Sequence, residues 1–426
     1  MNKIDAPALQ SRTIEWDQPN LLNFLRRASG EPRFFWESDR SDTAFAGFGA
    51  ACIVTAAGAR RFDSIRAQLR ACGAPGSVWL GGFSFSSASV PAASPVWRAF
   101  PQACFILPKY LLSRRGGITR LTITAASADP YALDEALWNL PAPQALASPN
   151  GRHADPRIAD LTSQAELTAL IADVSTRARR GELDKVVLAR ARDLHTPAPV
   201  DPLKALSRLA ARYPDCYRFL FEPQPGNAFY GATPELMGAV SGRSLTTMGL
   251  AGSIPRGSTL EEDETLGTRL LAGEKERREH RLVVEEIRRS LAPLASRLGA
   301  AQPGLLKLSN IQHIHTPICA SLRPGVDLLA VIAALHPTPA VGGVPQRAAM
   351  AYIQQHEPAP RGWYAAPVGW LTPQGEGEFA VALRSAVSVD RHTRLYAGAG
   401  ILADSDPESE WREIELKFRP MLEAIL

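Results

Sequence analysis

Between residues 43 and 126 the apolar positions fall in short runs separated by Gly, Pro and Ser: TAFAGFGAACIVTAAG (43–58), GSVWLGGFSFS (76–86), ACFILPKYLLS (103–113) and GITRLTITAA (117–126). Such runs, bounded by turn formers, predict strands. Between the first two the period changes. Phe62, Ile65 and Leu69 recur at helical spacing and Gly73 stops the run. The stretch over 141–156, rich in Pro and Ala, reads as a linker or surface crossing. A Ser163-x-x-Glu166 capping box then opens a helix that stops at Gly181, and a strand follows over 185–194. The remaining order is a helix over 201–212, strands over 216–222, 227–231, 235–241 and 244–248, a long helix around 260–298, further strands, and a last helix over 407–425. Strands in runs, rather than in strict alternation with helices, predict an α+β fold built on antiparallel sheets.

Two of these helices carry an unusual arrangement of carboxylates. In the last one, Trp411, Ile414, Phe418, Met421 and Ile425 form an apolar stripe, and Pro407 suits the first turn. Glu410 and Glu413 lie on one flank of the stripe, with Lys417 four residues after Glu413; Glu408 and Glu415 lie on the other. In the segment 274–294 the stripe is His280, Val283, Ile287, Leu291 and Leu294. Glu276 continues it backwards and Glu279 sits one step off. A carboxylate aligned with a buried stripe is costly unless a cation or donor satisfies it. Periodicity leaves two readings open: ordinary ion pairs on solvated faces, or an all-oxygen site for a hard cation such as Mg²⁺ built from both helices.

Composition narrows the class. The chain has 426 residues, 45% apolar and 21% charged, enough for a substantial core. We read it as a strand-rich part over 1–148 and a second part over 155–426, intertwined in one structural domain. The formal net charge is +4 with acids and bases interspersed, so no basic block points to nucleic acid. Five cysteines at irregular spacings, without a C-x-x-C, do not make a disulfide framework. No leader-like apolar segment and no run approaching a membrane span is present, so the expectation is a soluble cytoplasmic protein with no membrane partner.

Eight strings then occur in order: GATPELMG (231–238), GLAGSIPRG (249–257), EKERREH (274–280), IQHIHTPICASL (311–322), LHPTPAVGGVP (335–345), RGWYAAPVGW (361–370), EFAVALRSA (378–386) and AGAGILADSDPESEWREIELK (397–417). Together they resemble the chorismate-utilising enzymes, the isochorismate, salicylate, anthranilate and aminodeoxychorismate synthases. LHPTPAVGGVP and AGAGILADSDPESEW are similar to isochorismate synthases, and RFFWESDRSDTAFAGFGAA (33–51) resembles the N-terminal region of the menaquinone-pathway type. The Leu-Leu-Glu-Ser string of the aminating relatives is absent. Met248 departs from the pattern, which has an acidic residue there.

The resemblance implies large antiparallel sheets packed together with helices outside, and Mg²⁺-dependent isomerisation of chorismate to isochorismate. Salicylate synthesis or an aminating synthase component are the alternatives. No obligatory glutaminase partner is implied. Lys185 matches the general base and Glu235 the general acid. A lysine base needs its neutral form favoured, and a glutamic acid donor needs a raised pKa, which burial in an apolar pocket supplies. Glu279 and Glu413 match metal-binding carboxylates, with Glu276 and Glu410 as partners acting through water or orientation. Gly252 and His313 match positions near the ring carboxylate or hydroxyl. Tyr364, Arg384 and the backbone from Gly398 to Gly400 match the enolpyruvyl carboxylate pocket, and Lys417 adds positive charge there or pairs with Glu413. His336 reads as structural.

Overall fold

Strand Ala103–Arg115 is where the sheet divides. The computed structural model describes residues 9–17, 20–74, 76–88, 94–144 and 155–426. One edge of the dividing strand carries Thr43–Ala56; the other carries Trp79–Phe83 beside 103–106 and Ile118–Ala126 beside 110–115. From Thr43–Ala56 one arm runs through Arg33–Ser38, Tyr217–Gln224, Asn227–Thr233, Ser385–Val389 and His392–Ile401 to Lys185–His195. From Trp79–Phe83 the other runs through Pro367–Leu371, Gly377–Val381, Leu236–Ser241 and Ser244–Pro255 to Ile311–Leu322. All of these pairings are antiparallel, in an α+β architecture. Two of them, Arg33–Ser38 with Tyr217–Gln224 and Trp79–Phe83 with Pro367–Leu371, tie the first third of the chain to the rest through backbone hydrogen bonds.

Aromatic packing fills the space at the junction. Trp363 stacks on Phe221 at 4.7 Å, Phe100 and Phe229 each meet Trp97 edge-on at 5.3 Å, and Trp97 Nε1 donates to the Tyr396 hydroxyl at 2.8 Å. Edge-on and offset contacts suit the ring quadrupoles, and the indole N–H is satisfied inside the core. The helix Glu274–Leu291 packs on Ser244–Pro255, and Pro407–Ile425 packs on His392–Ile401. Each buries one stripe and leaves its opposite face exposed.

Local signals behaved as their chemistry requires where side chains cap or stop an element. Ser163 N donates to Glu166 Oε2 at 2.7 Å and Glu166 N to Ser163 Oγ at 3.2 Å, closing the capping box. Asp406 Oδ2 accepts from Ser409 N at 2.8 Å ahead of Pro407. The long helix around 260–298 is a miss. It breaks at Gly273 (φ −61°, ψ 125°) into Leu260–Ala272 and Glu274–Leu291, and Ala295–Ala300 is a strand. Helices Leu328–Leu335 and Gln346–His356 fall where only strands were expected. The first buries Leu328, Leu329, Val331, Ile332 and Leu335, which leaves no polar face for periodicity to reveal. Most of the 141–156 linker lies outside the described residues. Among those described, no helix is long and apolar enough to cross a membrane.

Candidate active site

Lys185 is the first residue of Lys185–His195 and pairs in register with Val344 of the short strand Gly343–Val344. Its side chain is 1% exposed, and its Nζ lies 2.8 Å from Glu279 Oε1. Burial raises the Glu279 carboxyl, but Lys185, Lys417 and Lys275 together outweigh it and hold the group below the usual range. Gly400, on the neighbouring strand His392–Ile401, lies against this ion pair. A Cβ there would stand 2.5 Å from Glu279 Oε1 and 2.6 Å from Lys185 Cε, so only glycine leaves room for the pair.

Glu235 sits in the turn between Asn227–Thr233 and Leu236–Ser241. Its carbonyl accepts from Val381 N at 3.0 Å, and Thr233 Oγ1, which accepts from Glu235 N at 3.3 Å, donates to Val381 O at 2.6 Å. The turn is therefore fixed to the strand Gly377–Val381. The carboxyl is buried, which pushes its pKa up to about 7 against the pull of Lys185, Arg384 and Lys417. These four groups are electrostatic neighbours, and Glu235 keeps its proton to near neutrality among them.

Glu279, Glu410 and Glu413 share Lys275 as an electrostatic neighbour where their two helices meet, and Glu276 packs beside Gly252. Each of three has taken a lysine: Glu279 holds Lys185, Glu410 holds Lys275 at 2.8 Å, and Glu413 holds Lys417 at 2.6 Å. Glu410 is the most buried, and burial followed by the neighbouring Glu413 raises its carboxyl. The donor set is all carboxylate oxygen, which suits a hard divalent cation. No three of these groups converge as a formed metal site among the described residues; the carboxylates face ammonium groups instead.

Opposite the carboxylates the pocket is cationic. Arg384 is half-buried and adopts φ +45°, a left-handed backbone that a non-glycine residue keeps only where its surroundings enforce it. Its carbonyl is held by Ala232 N at 3.1 Å. Its guanidinium has no hydrogen-bonded protein partner among the described residues, and burial lowers its pKa. An unpaired guanidinium fork beside Tyr364 and Glu235 can donate to the two oxygens of a carboxylate. Tyr364 stacks on Tyr396 at 4.9 Å, which fixes its ring. His313 Nδ1 faces Ser253 Oγ at 3.0 Å, while its Nε2 is buried without a hydrogen-bond partner beside the Gly252 backbone. Burial, then Arg384 and Lys417, hold this imidazole neutral. Gly252 (φ +74°) forms the bulge that places His313 there, and a Cβ on it would press Glu276 Cβ at 3.3 Å.

A family model described as chorismate binding enzyme matches residues 1–426. The chain belongs to the chorismate-binding enzymes. Among relatives within this family, a Pseudomonas aeruginosa protein named salicylate biosynthesis isochorismate synthase is 36% identical, over 99% of this chain and 91% of its own. Isochorismate synthase MenF of Bacillus subtilis is 32% identical, over 97% of this chain and 92% of its own. A solved structure of MenF, the menaquinone-specific isochorismate synthase from Escherichia coli, has a TM-score of 0.86 at 30% identity and covers 99% of this chain and 95% of that one.

Of the positions singled out from the sequence, Lys185, Glu235, Glu279, Glu413, Lys417, Arg384, His313 and Gly400 are joined by direct contact or by shared electrostatic neighbours in this chorismate-binding fold. Gly398 contributes its carbonyl, which accepts from Lys417 Nζ at 2.8 Å. Lys417 thus pairs with Glu413 and the adjacent strand. His336 is structural: its Nε2 faces Phe85 O at 3.0 Å and burial pushes its pKa down to about 3. Met248 is buried in its strand. Glu408 is exposed, but Glu415 accepts from Arg190 at 2.7 Å and Arg192 at 2.8 Å, because those strand arginines reach across to the helix. Two residues escaped the sequence reading. Lys275 was hidden inside the charge run EKERREH. Arg361 donates to Val341 O at 2.7 Å, Val187 O at 2.8 Å and Glu357 Oε2 at 2.8 Å, bracing the HPTPAVGG loop against the strand that carries Lys185. Its signal was an arginine at the head of the otherwise apolar RGWYAAPVGW string.

Proposed function

We propose that this protein is a cytoplasmic, Mg²⁺-dependent isochorismate synthase that acts on chorismate without a glutaminase partner and supplies isochorismate for menaquinone synthesis. The observation that carries the reading is the buried Lys185 together with its electrostatic neighbour Glu235, a buried glutamic acid that holds its proton to about pH 7. It is supported by membership of the chorismate-binding enzymes and by full-length relatives named isochorismate synthases.

Chorismate carries a ring carboxylate, an enolpyruvyl ether with a second carboxylate, and a hydroxyl at C4. Arg384, with Tyr364 beside it, receives one carboxylate through its open fork. Lys185, as the neutral amine released from its pairing with Glu279, takes a proton from the water that forms the new C–O bond at C2. The ring double bonds shift, the C4–O bond breaks, and Glu235 gives its proton to the departing hydroxyl, which leaves as water. One water enters and one leaves, so the product is an isomer of the substrate. Neutral His313 offers its free Nε2 to a ring substituent. Glu279 and Glu413 are the carboxylates that would hold the divalent cation, with Glu276 close by. When bound, that cation neutralises the ring carboxylate and favours electron flow toward it.

Product analysis tests the reading. Purified protein with chorismate and Mg²⁺ is expected to give isochorismate and no pyruvate in a lactate dehydrogenase-coupled assay. Stoichiometric pyruvate would make it a salicylate synthase, and an aminated product with ammonium would make it an aminating enzyme.

A further inference from the structure

Lys275 and Glu410 join the opening turns of the two carboxylate-bearing helices. Lys275 Nζ lies 2.8 Å from Glu410 Oε1; the lysine side chain reaches in from the rim at 30% exposure and the glutamate is buried at 4%. Glu410 precedes Glu413 by three residues, so the two share a helix flank, and Lys275 also interacts electrostatically with Glu413 and Glu279. An ammonium group is thus fixed inside the cluster that would hold the divalent cation.

We infer that Lys275 is a built-in cation that withholds Glu410 from metal coordination and lowers the affinity of the Glu279–Glu413 site for a divalent cation. The inference rests on the divalent-cation reading above. Two physical arguments carry it. All three carboxylates hold a lysine, but Glu410 is the most buried, 4% exposed against 14% for Glu279 and 28% for Glu413, so breaking its pair to free an oxygen for a metal costs the most. An ammonium within reach of Glu279 and Glu413 also repels a doubly charged ion bound between them, and in a poorly solvated pocket that repulsion is only weakly screened. Metal occupancy would then follow the free divalent concentration rather than saturate at trace levels.

The test uses Mn²⁺ as the probe and the full-length protein without substrate, with free Mn²⁺ counted by electron paramagnetic resonance and heats by titration calorimetry. Lys275→Met is expected to tighten Mn²⁺ binding about tenfold or more, and Lys275→Gln, which keeps a donor to Glu410 but no charge, is expected to tighten it less. The double variant Lys275→Met/Glu410→Gln is expected to return to within about threefold of the parent, since a charge pair is removed together. Unchanged or weaker binding in Lys275→Met overturns the inference. If that variant does not fold, Lys275→Gln decides by the same criterion. A double variant that binds more than about tenfold more weakly than the parent makes Glu410 a metal ligand and also overturns it. A parent protein that binds no Mn²⁺ overturns the divalent-cation reading itself, whereas a binding parent with an indifferent Lys275→Met overturns only the role given to Lys275.

Discussion

Lys185 Nζ and Glu279 Oε1 stand 2.8 Å apart, the lysine at the start of a strand and the glutamate on a helix packed over another arm of the sheet. The proposed base and a proposed metal carboxylate are therefore a single ion pair. Their relation to Gly400 and Glu235 generates testable consequences.

Replacing Lys185 by alanine removes the proposed proton acceptor. General-base groups contribute roughly 10²–10⁴-fold, so kcat should fall by about 10³-fold. Circular dichroism should show the fold retained, since Glu279 keeps partial exposure and other lysines nearby. Activity within a few-fold of the parent would remove Lys185 from the base role.

Glu235→Gln should lose activity yet gain stability at alkaline pH. The carboxyl titrates near 4.5 when unfolded and near 7 when folded, chiefly through burial. Above the lower value the unfolded chain ionises this group while the folded chain keeps it protonated, so the parent loses stability as pH rises from about 4.5 to about 7. The glutamine variant escapes that loss, an advantage of ~3 kcal/mol at pH 8 that vanishes near pH 4. Denaturant melts at the two pH values check the sign. In the parent, kcat/KM for chorismate should decline as pH rises through the Glu235 titration.

Arg384→Lys keeps the charge and loses the planar fork. Charged hydrogen bonds are worth roughly 1.5–3 kcal/mol, so KM for chorismate should rise about 10- to 100-fold, with a smaller change in kcat. An unchanged KM in steady-state assays would place the substrate carboxylate elsewhere.

Gly400→Ala forces a methyl group against Glu279 Oε1 and Lys185 Cε. The pair must move apart, and kcat should drop about tenfold or more, because general acid–base work depends on placement of the group. A crystal structure of the variant should show the Lys185–Glu279 contact lengthened. Full activity with an undisturbed contact would contradict the packing described.

How much of this was legible in the sequence depends on the kind of signal. Caps spoke for themselves: Ser163 and Glu166 close their box, and Pro407 opens the last helix behind Asp406. Periodicity failed at Gly273, where two helices share one buried face, and at Leu328–Leu335, where every face is apolar enough to hide the period. Lys185, Glu235 and Arg384 were named only through resemblance. Nothing local marks Lys185 as buried, because its burial comes from Gly400, Val344 and Glu279, all distant in sequence. The Glu410–Glu413 flank looked solvated on the helical wheel, but Glu410 is buried and paired with Lys275 of the other helix, while Glu413 pairs with Lys417 of its own.

The most direct test of the account is the reaction of purified protein with chorismate and Mg²⁺ in ¹⁸O-labelled water, followed by mass spectrometry of the product. Addition of water at C2 with loss of the C4 hydroxyl predicts isochorismate carrying one ¹⁸O atom, no pyruvate, and labelled product formed about 10³-fold more slowly by Lys185→Ala. Unlabelled isochorismate, or pyruvate released in step with chorismate consumption, would contradict it.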